Sequence, residues 1–372
     1  MRVLHLANNY LRNALYGLLF ESLRKRGVDN SIFVPVKASE GKIDKDQLYI
    51  YPCFNTLDRV LYYTKQKKLF DGIVEKYDAG QFSLLHAHTL FSAGYAAMKW
   101  KHLTGTPYIV AVRSTDKNTF FRYMPHLRSV GVQVMREADA VIFLSAAYRK
   151  SVINNYVPQE HQAEIEAKSH VIPNGISEIF LSDRAEAHRL RAKKSVRLIF
   201  VGEVSLNKNV GTTIAAAKKL IEEGWNVQLQ VIGEIKSHKY RKLIERTPWV
   251  SYHKKAPQEE VKEYLRQADL FVMPSHNETF GLVYAEAMSQ GLPVLYTRGE
   301  GFDGHFPDGT VGYAVDDQSA DDVAEKIKLA LENYDTLAAN AYAGATKFSW
   351  DSIAASYQEL YQMAEDRSSG RT

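Results

Sequence analysis

The feature that most constrains this chain is an alternation of short apolar runs with helical patterns, interrupted once and then resumed. VLHL at 3–6 leads into a helical pattern over 13–26, and LLHAH at 84–88 into one over 92–103. YIVAV at 108–112 and AVIFL at 140–144 continue the series. Runs rich in Val, Ile and Leu, each followed by a 3.6-residue period, build βαβ units around a parallel sheet. Across 176–195 the pattern lapses into SEIFLSDRAEAHRLRAKKS, which reads as a linker. It restarts with strands at 196–201, 227–232, 250–253, 270–274 and 293–296, and with helices near 210–223, 237–246, 258–267 and 281 onward. A length of 372 residues suits two such domains. The expected fold is α/β, two Rossmann-like doubly wound domains facing a cleft, with ligands at the carboxyl ends of the strands. The tail EDRSSGRT reads as frayed.

Composition excludes several classes. One cysteine, Cys53, leaves no internal disulfide framework and no multi-cysteine metal site. The N-terminal MRVLHLANNYLRNALYGLLF is broken by Asn8, Asn9, Arg12 and Asn13, so no signal peptide is expected. No run reaches the ~18 apolar residues of a membrane span. A net charge of +4 is mild for this length, and a nucleic-acid partner is not expected. The expected location is cytoplasmic. Residues 59–76 mix Lys65, Lys67 and Lys68 with Leu61, Tyr62, Tyr63, Leu69 and Phe70. That pattern fits a helix lying at the inner face of the cell membrane, and equally a surface helix packed by one face on the core.

The segment FVMPSHNETFGLVYAEAMSQGLPV carries the chemistry. An apolar strand ends at Pro274, a polar loop follows, and a helix opens near Gly281. A helix start presents unpaired N–H groups and the positive end of the macrodipole, and so attracts an anion. Gly281 lets a phosphate approach the backbone. Glu278 and Glu286 flank that point, and a carboxylate accepts from vicinal hydroxyls of a sugar or a ribose. The plainer reading makes Glu278 a helix cap and Glu286 a solvated residue.

These residues resemble the retaining family 4 glycosyltransferases of the GT-B fold, whose hallmark is a glutamate, seven residues and a second glutamate. Here that is Glu278-TFGLVYA-Glu286, followed by Ala287-Met288 and Gly291-Leu292-Pro293-Val294. Further landmarks occur in order along nearly the whole chain, among them Ser145 and Pro173-Asn174-Gly175. The resemblance implies an acceptor domain over 1–178, onto which a closing helix at 350–366 packs back, and a donor domain over 190–349. It implies that Glu278 contacts donor-sugar hydroxyls, that Glu286 holds the ribose, and that the backbone of Phe280, Gly281 and Leu282 meets sugar and phosphate. In LIFVGEVSLNKNVGTTIAAAKKL, Gly202 opens the phosphate loop and Lys208 matches the family's lysine, which neutralises the diphosphate leaving group. Glu203 stands where the family often has arginine, which points to Arg298 or Arg113 as the second cation. Lys254 and Lys255 lie where the base usually sits.

In the first domain the family's paired glycines are replaced by Asn8-Asn9-Tyr10. Arg113-Ser114-Thr115-Asp116 matches a family strand end, so Arg113 would face the donor phosphate and Asp116 a hydroxyl, unless the two form a structural salt bridge. His88, with His86, would line the cleft. An H-x-H pair can bind zinc, but no third ligand is apparent, and no metal is expected. Glu300 and Asp303 fall where they can touch the donor sugar, or else form a surface loop. The implied reaction needs no cofactor beyond a nucleotide-sugar co-substrate, UDP-linked by default. It moves a hexose-type sugar to a glycan or lipid-linked acceptor, as in bacterial surface polysaccharide synthesis. The rivals are an epimerase or phosphorylase on the same architecture, and a non-catalytic sugar-nucleotide binding protein.

Overall fold

A computed structural model describes residues 1–55, 58, 61–184 and 194–368. The chain divides into two compact units. The first comprises Met1–Leu144, Arg149–Pro173 and Trp350–Thr372, and the second Ser145–Tyr148 and Asn174–Ser349. The first leaves off after Pro173 and resumes at Trp350; Ile176, in the second unit, donates to the carbonyl of Phe348 of the same unit.

The first unit holds an eight-stranded sheet. Its strands are β1 (Arg2–Leu6), β2 (Asp29–Lys37), β3 (Ile43–Lys45), β4 (Leu48–Phe54), β5 (Leu84–Ala87), β6 (Tyr108–Ala111), β7 (Ala140–Phe143) and β8 (Ser169–Val171). They run in the order β3-β4-β2-β1-β5-β6-β7-β8, parallel except for β3, which turns back on β4 as an exposed edge. β1, β5, β6 and β7 are apolar runs buried along nearly their whole length, the signature of strands covered on both faces. The last helix, Trp350–Ser368, is amphipathic and buries Ile353, Ala354, Tyr357, Leu360, Tyr361 and Ala364 in the core of this unit beside Leu19, Phe20 and Leu23. Half of the tail read as frayed is thus helix, and its last four residues lie outside the described ones.

The helix read at 59–76 spans Tyr62–Lys76, with Arg59 and Val60 outside the described residues. It buries Gln66, Leu69, Gly72 and Ile73 against its own unit. Its lysines are largely matched: Lys67 pairs with Asp71, Lys68 with Asp58 and Lys76 with Asp44. Among the described residues no helix is long and apolar enough to cross a membrane.

The second unit is a six-stranded, all-parallel sheet. Its strands are β9 (Ser195–Val201), β10 (Asn226–Ile232), β11 (Val250–His253), β12 (Leu270–Val272), β13 (Val294–Thr297) and β14 (Gly312–Val315). They lie in the order β11-β10-β9-β12-β13-β14. Numbered within the unit this is 3-2-1-4-5-6, the doubly wound order whose direction reverses between the first and fourth strands. That switch point sits between β9 and β12, and the loops leaving their carboxyl ends diverge there to leave a crevice. Gly233, at the end of β10, has φ +149°, and a Cβ there would lie 1.8 Å from the carbonyl oxygen of Gly202, so only glycine lets these two strand ends close up. Of the stretch read as a linker, Ile179–Ser182 is a short helix, and 185–193 lie outside the described residues.

Candidate functional site

The loop after β9 and the loop after β12 are stapled together. Asn207 Nδ2 donates to the carbonyl of Asn277 at 2.9 Å, while Asn207 Oδ1 accepts from the Asn277 amide at 3.1 Å and the Asn207 carbonyl from His276 at 2.8 Å. Asn209 sits at φ +55°, a left-handed position that asparagine tolerates, just before the helix Val210–Glu222. Its buried amide donates to the carbonyls of Pro274 and Asp317, at 3.1 and 2.8 Å. It thus ties together three segments rather than capping its own helix. Lys208, held between these two asparagines, reaches Glu278 and forms a half-buried ion pair with it.

Glu278 is positioned from every side. Its amide donates to Glu300 Oε2 at 3.0 Å, its carbonyl accepts from Gly301, and its Oε1 accepts from the Thr279 amide at 3.1 Å. Glu300 therefore holds the loop that carries Glu278; Asp303 accepts from the Gly299 amide and closes the neighbouring turn. Gly301, at φ +22°, lies so close that a Cβ would stand 2.5 Å from Glu278 Cγ.

The helix Leu282–Ser289 opens directly beside this carboxylate. Gly281 precedes it at φ +80°, no side chain caps it, and among the described residues no acceptor meets the amide N–H of Leu282 or Val283. The ring of Phe280 is buried against His305 and Phe348, at 5.1 and 5.4 Å between centroids, so only its backbone faces the site. Glu286 lies one turn further along. It is half-buried with no ion-pair partner among the described residues, and burial pushes its carboxyl up to about 7. A cation, two uncapped amides and one carboxylate thus meet at the switch point of one sheet, with the Glu286 carboxyl one turn along the same helix, an arrangement suited to an anion flanked by hydroxyl-bearing groups.

Glu203 is exposed and forms no ion pair among the described residues, and Gly202 donates to the Ile232 carbonyl within the strand-end network. Lys208 is matched by an acid rather than a second cation, and Arg298 donates to the Ala314 carbonyl instead. Lys254 and Lys255 are exposed.

In the first unit Asp116 is not available to a hydroxyl. It is 1% exposed, and its oxygens accept from the backbone amides of Leu90, Phe91 and Arg113 at 3.1, 3.0 and 2.8 Å. Burial raises its carboxyl to about 6 against the pull of those amides. Asp116→Ala is expected to cost on the order of 3 kcal/mol, because it orphans three buried donors. Urea unfolding measures this; an unchanged midpoint would return Asp116 to the ligand-contacting residues. Arg113 is likewise committed: Nε donates to the His88 carbonyl at 3.3 Å, and Tyr357 hydrogen-bonds its guanidinium.

His88 does not line an open surface either. It and His86 are fully buried, and a third histidine joins them: the register of β1 on β5 sets His5 opposite His86. The three offer ring nitrogens within 4.8 Å of one another, the one such grouping of potential metal ligands among the described residues. His5 Nδ1 meets His88 Nε2 at 3.1 Å, His5 Nε2 meets Asn30 Oδ1 at 2.9 Å, and His86 Nδ1 meets Tyr361 Oη at 2.8 Å. Burial lowers all three pKa values, that of His5 to about 4.

Comparison with known proteins finds matches along both units. Residues 18–178 match the profile described as Glycosyltransferase Family 4, and residues 182–347 that of Glycosyl transferases group 1. A D-inositol 3-phosphate glycosyltransferase of Geodermatophilus obscurus is 27% identical over 76% of this chain and 67% of its own. The apo lipopolysaccharide outer core galactosyltransferase WaaB superposes with a TM-score of 0.72 at 13% identity, covering 97% of this chain and 99% of that one. Anabaena HepE in complex with UDP gives 0.68 at 16% identity, covering 97% and 100%.

Proposed function

Because this chain belongs to the family 4 glycosyltransferases and has their GT-B fold, we propose that it moves a hexose-type sugar from UDP to a hydroxyl of a glycan or lipid-linked acceptor, with retention at the anomeric carbon. The observation that carries the reading is the meeting of Lys208, Glu278 and the uncapped start of the helix Leu282–Ser289. The diphosphate lies against the Lys208 ammonium and the amides that follow Gly281. Glu278 accepts from donor-sugar hydroxyls, and Glu286 from the ribose diol. UDP is favoured because a structural neighbour, HepE, is solved with it. A surface polysaccharide is the favoured product because WaaB, of the same fold, acts on the outer core of lipopolysaccharide.

In the reaction the bond from the anomeric carbon to the departing phosphate oxygen breaks. The acceptor oxygen bonds that carbon from the same face, and the acceptor proton passes to the departing phosphate. Positioning and a fixed positive field do the work, without a metal ion. A panel of nucleotide sugars with a pooled glycan and lipid-linked acceptor mixture, read by mass spectrometry, tests this. Acceptor-dependent release of one nucleoside diphosphate, with the anomer retained and activity kept in EDTA, is expected. Acceptor-independent conversion of the donor indicates an epimerase, and loss of turnover on chelation overturns the metal-free mechanism.

A further inference from the structure

The three buried histidines of the first unit have no part in the transfer chemistry, yet they are arranged as ligands are. β1 and β5 are parallel neighbours that set His5 opposite His86, and His88 follows just past the end of β5. Asn30 Nδ2 donates to the Phe20 carbonyl at 3.1 Å, which turns Asn30 Oδ1 toward His5. An amide oxygen only accepts, so His5 Nε2 carries the proton of that 2.9 Å bond and His5 Nδ1 is a bare lone pair. The lone pair lies 3.1 Å from His88 Nε2. His86 Nε2 and His88 Nδ1 are buried and meet no partner among the described residues. Buried polar atoms left unpaired are costly and call for a ligand, an ion or a water.

Spacing and support both favour an ion. Two nitrogens on a tetrahedral zinc ion stand about 3.3 Å apart, given Zn–N distances of about 2.0–2.1 Å. His5 Nδ1 and His88 Nε2 are already within a few tenths of that, and the three rings offer nitrogens all within 4.8 Å of one another. A metal-bound histidine hands its other ring N–H to an acceptor behind it. His5 does so to Asn30 Oδ1, and His86 Nδ1 is placed to do so to Tyr361 Oη, at 2.8 Å. Burial also keeps the rings neutral, the form that ligates. The set contains no carboxylate, which disfavours Mg²⁺ and Ca²⁺, whereas imidazole suits zinc and its neighbours.

We propose that His5 Nδ1, His86 Nε2 and His88 Nε2 hold one divalent transition ion of the zinc class, which pins the centre of the first sheet to the closing helix. The ion replaces the hydrogen between His5 and His88, the His88 proton moves to Nδ1, and all three rings stay neutral. A water completes the tetrahedron. Asn30 extends the site to β2, and Tyr361 extends it to the helix Trp350–Ser368. The ion takes part in no step of the sugar transfer, so metal content and stability report on it and turnover does not.

The test is elemental analysis of the untagged full chain expressed in zinc-supplemented medium, which lets the ion enter as the chain folds. About one Zn²⁺ per chain is expected, with a melting midpoint about 5 °C above that of the chelator-treated protein. Protein expressed with Co²⁺ should show the visible absorption of a tetrahedral site. His86→Gln should abolish both signals, and His126→Gln, at an exposed histidine of the same unit, should keep them. Should His86→Gln not fold, Tyr361→Phe decides: it keeps the ring and its packing, removes the acceptor behind His86, and should weaken Zn²⁺ about tenfold or more in competition with a chromophoric chelator. Wild-type protein without metal, metal retained in His86→Gln, or unchanged affinity in Tyr361→Phe overturns the proposal and leaves the three rings as a hydrogen-bonded network closed by water.

Discussion

Lys208→Ala is expected to lower kcat roughly 10²–10³-fold, the usual loss when one preorganised charge is removed from a developing anion. In the proposed reaction negative charge grows on the terminal phosphate of the departing nucleoside diphosphate, and among the described residues Lys208 is the cation seated at the second unit's switch point beside the open helix start. UDP affinity should fall with it. Glu278→Gln is expected to behave differently. In the free protein Glu278 holds the Lys208 ammonium, so an incoming diphosphate must displace a carboxylate. Removing that charge frees the lysine and takes away a repelling group, and UDP should bind about two- to fivefold tighter, the worth of a partly exposed ion pair. Turnover of the intact sugar nucleotide should nonetheless drop, because a hydroxyl acceptor is weakened. Titration with UDP and initial rates at saturating donor separate the two variants. Weaker UDP binding in Glu278→Gln would mean the pair supports the site as a unit rather than competing with the ligand.

Both domains are legible in the sequence because strands covered on two faces must be apolar throughout. β1, β5, β6 and β7, with β9, β12 and β13, announce themselves that way; β10 (NVQLQVI) instead alternates like a half-buried strand, and β11 (VSYH) is a partly exposed edge. β2 does not, since DNSIFVPVK begins polar and carries Pro35, and the edge strands β3 (IDK) and β8 (SHV) bury too little to leave a pattern. The position of the candidate site is legible from Glu278 to Glu286, because a strand end, a glycine and a helix start are local features. What joins it is not. Lys208 and Glu278 stand 70 residues apart, and their contact follows from the order of β9 beside β12. Asp116 reads as a hydroxyl-facing acid or a partner of Arg113 until the turn after β6 folds it under three amides. His5 joins His86 and His88 only through strand register, which a single sequence does not encode.

The same register makes the first unit acid-sensitive. Each of the three buried histidines has its folded pKa lowered below 6.5, His5 to about 4, so the native state keeps them neutral while an unfolded chain takes up protons below pH 6.5. Stability gained this way is complete above pH 6.5 and is lost as pH falls toward 4. Asp116 acts in the opposite sense: its folded pKa is raised to about 6, so between about 4 and 6 the native state holds a proton that the unfolded chain has released. Within the first unit, three protons gained on unfolding against one given up leave a net uptake of about two, while Glu286 of the second unit, raised to about 7, gives up a proton when that unit unfolds. At about 1.4 kcal/mol per proton and pH unit, the unfolding free energy of the first unit should fall by roughly 3 kcal/mol for each unit between pH 6 and 5. That is a large share of a typical 5–15 kcal/mol. Urea titrations at pH 7, 6 and 5, together with proton uptake measured by calorimetry in buffers of different ionisation enthalpy, test this. His88→Gln should remove about one proton from the uptake and flatten the slope, whatever it does to stability at pH 7, because a glutamine at that place has nothing to titrate. An unchanged slope in His88→Gln would remove the histidine cluster as the origin of the acid transition and leave it to the surface carboxylates, whose ion pairs are the other groups released at low pH.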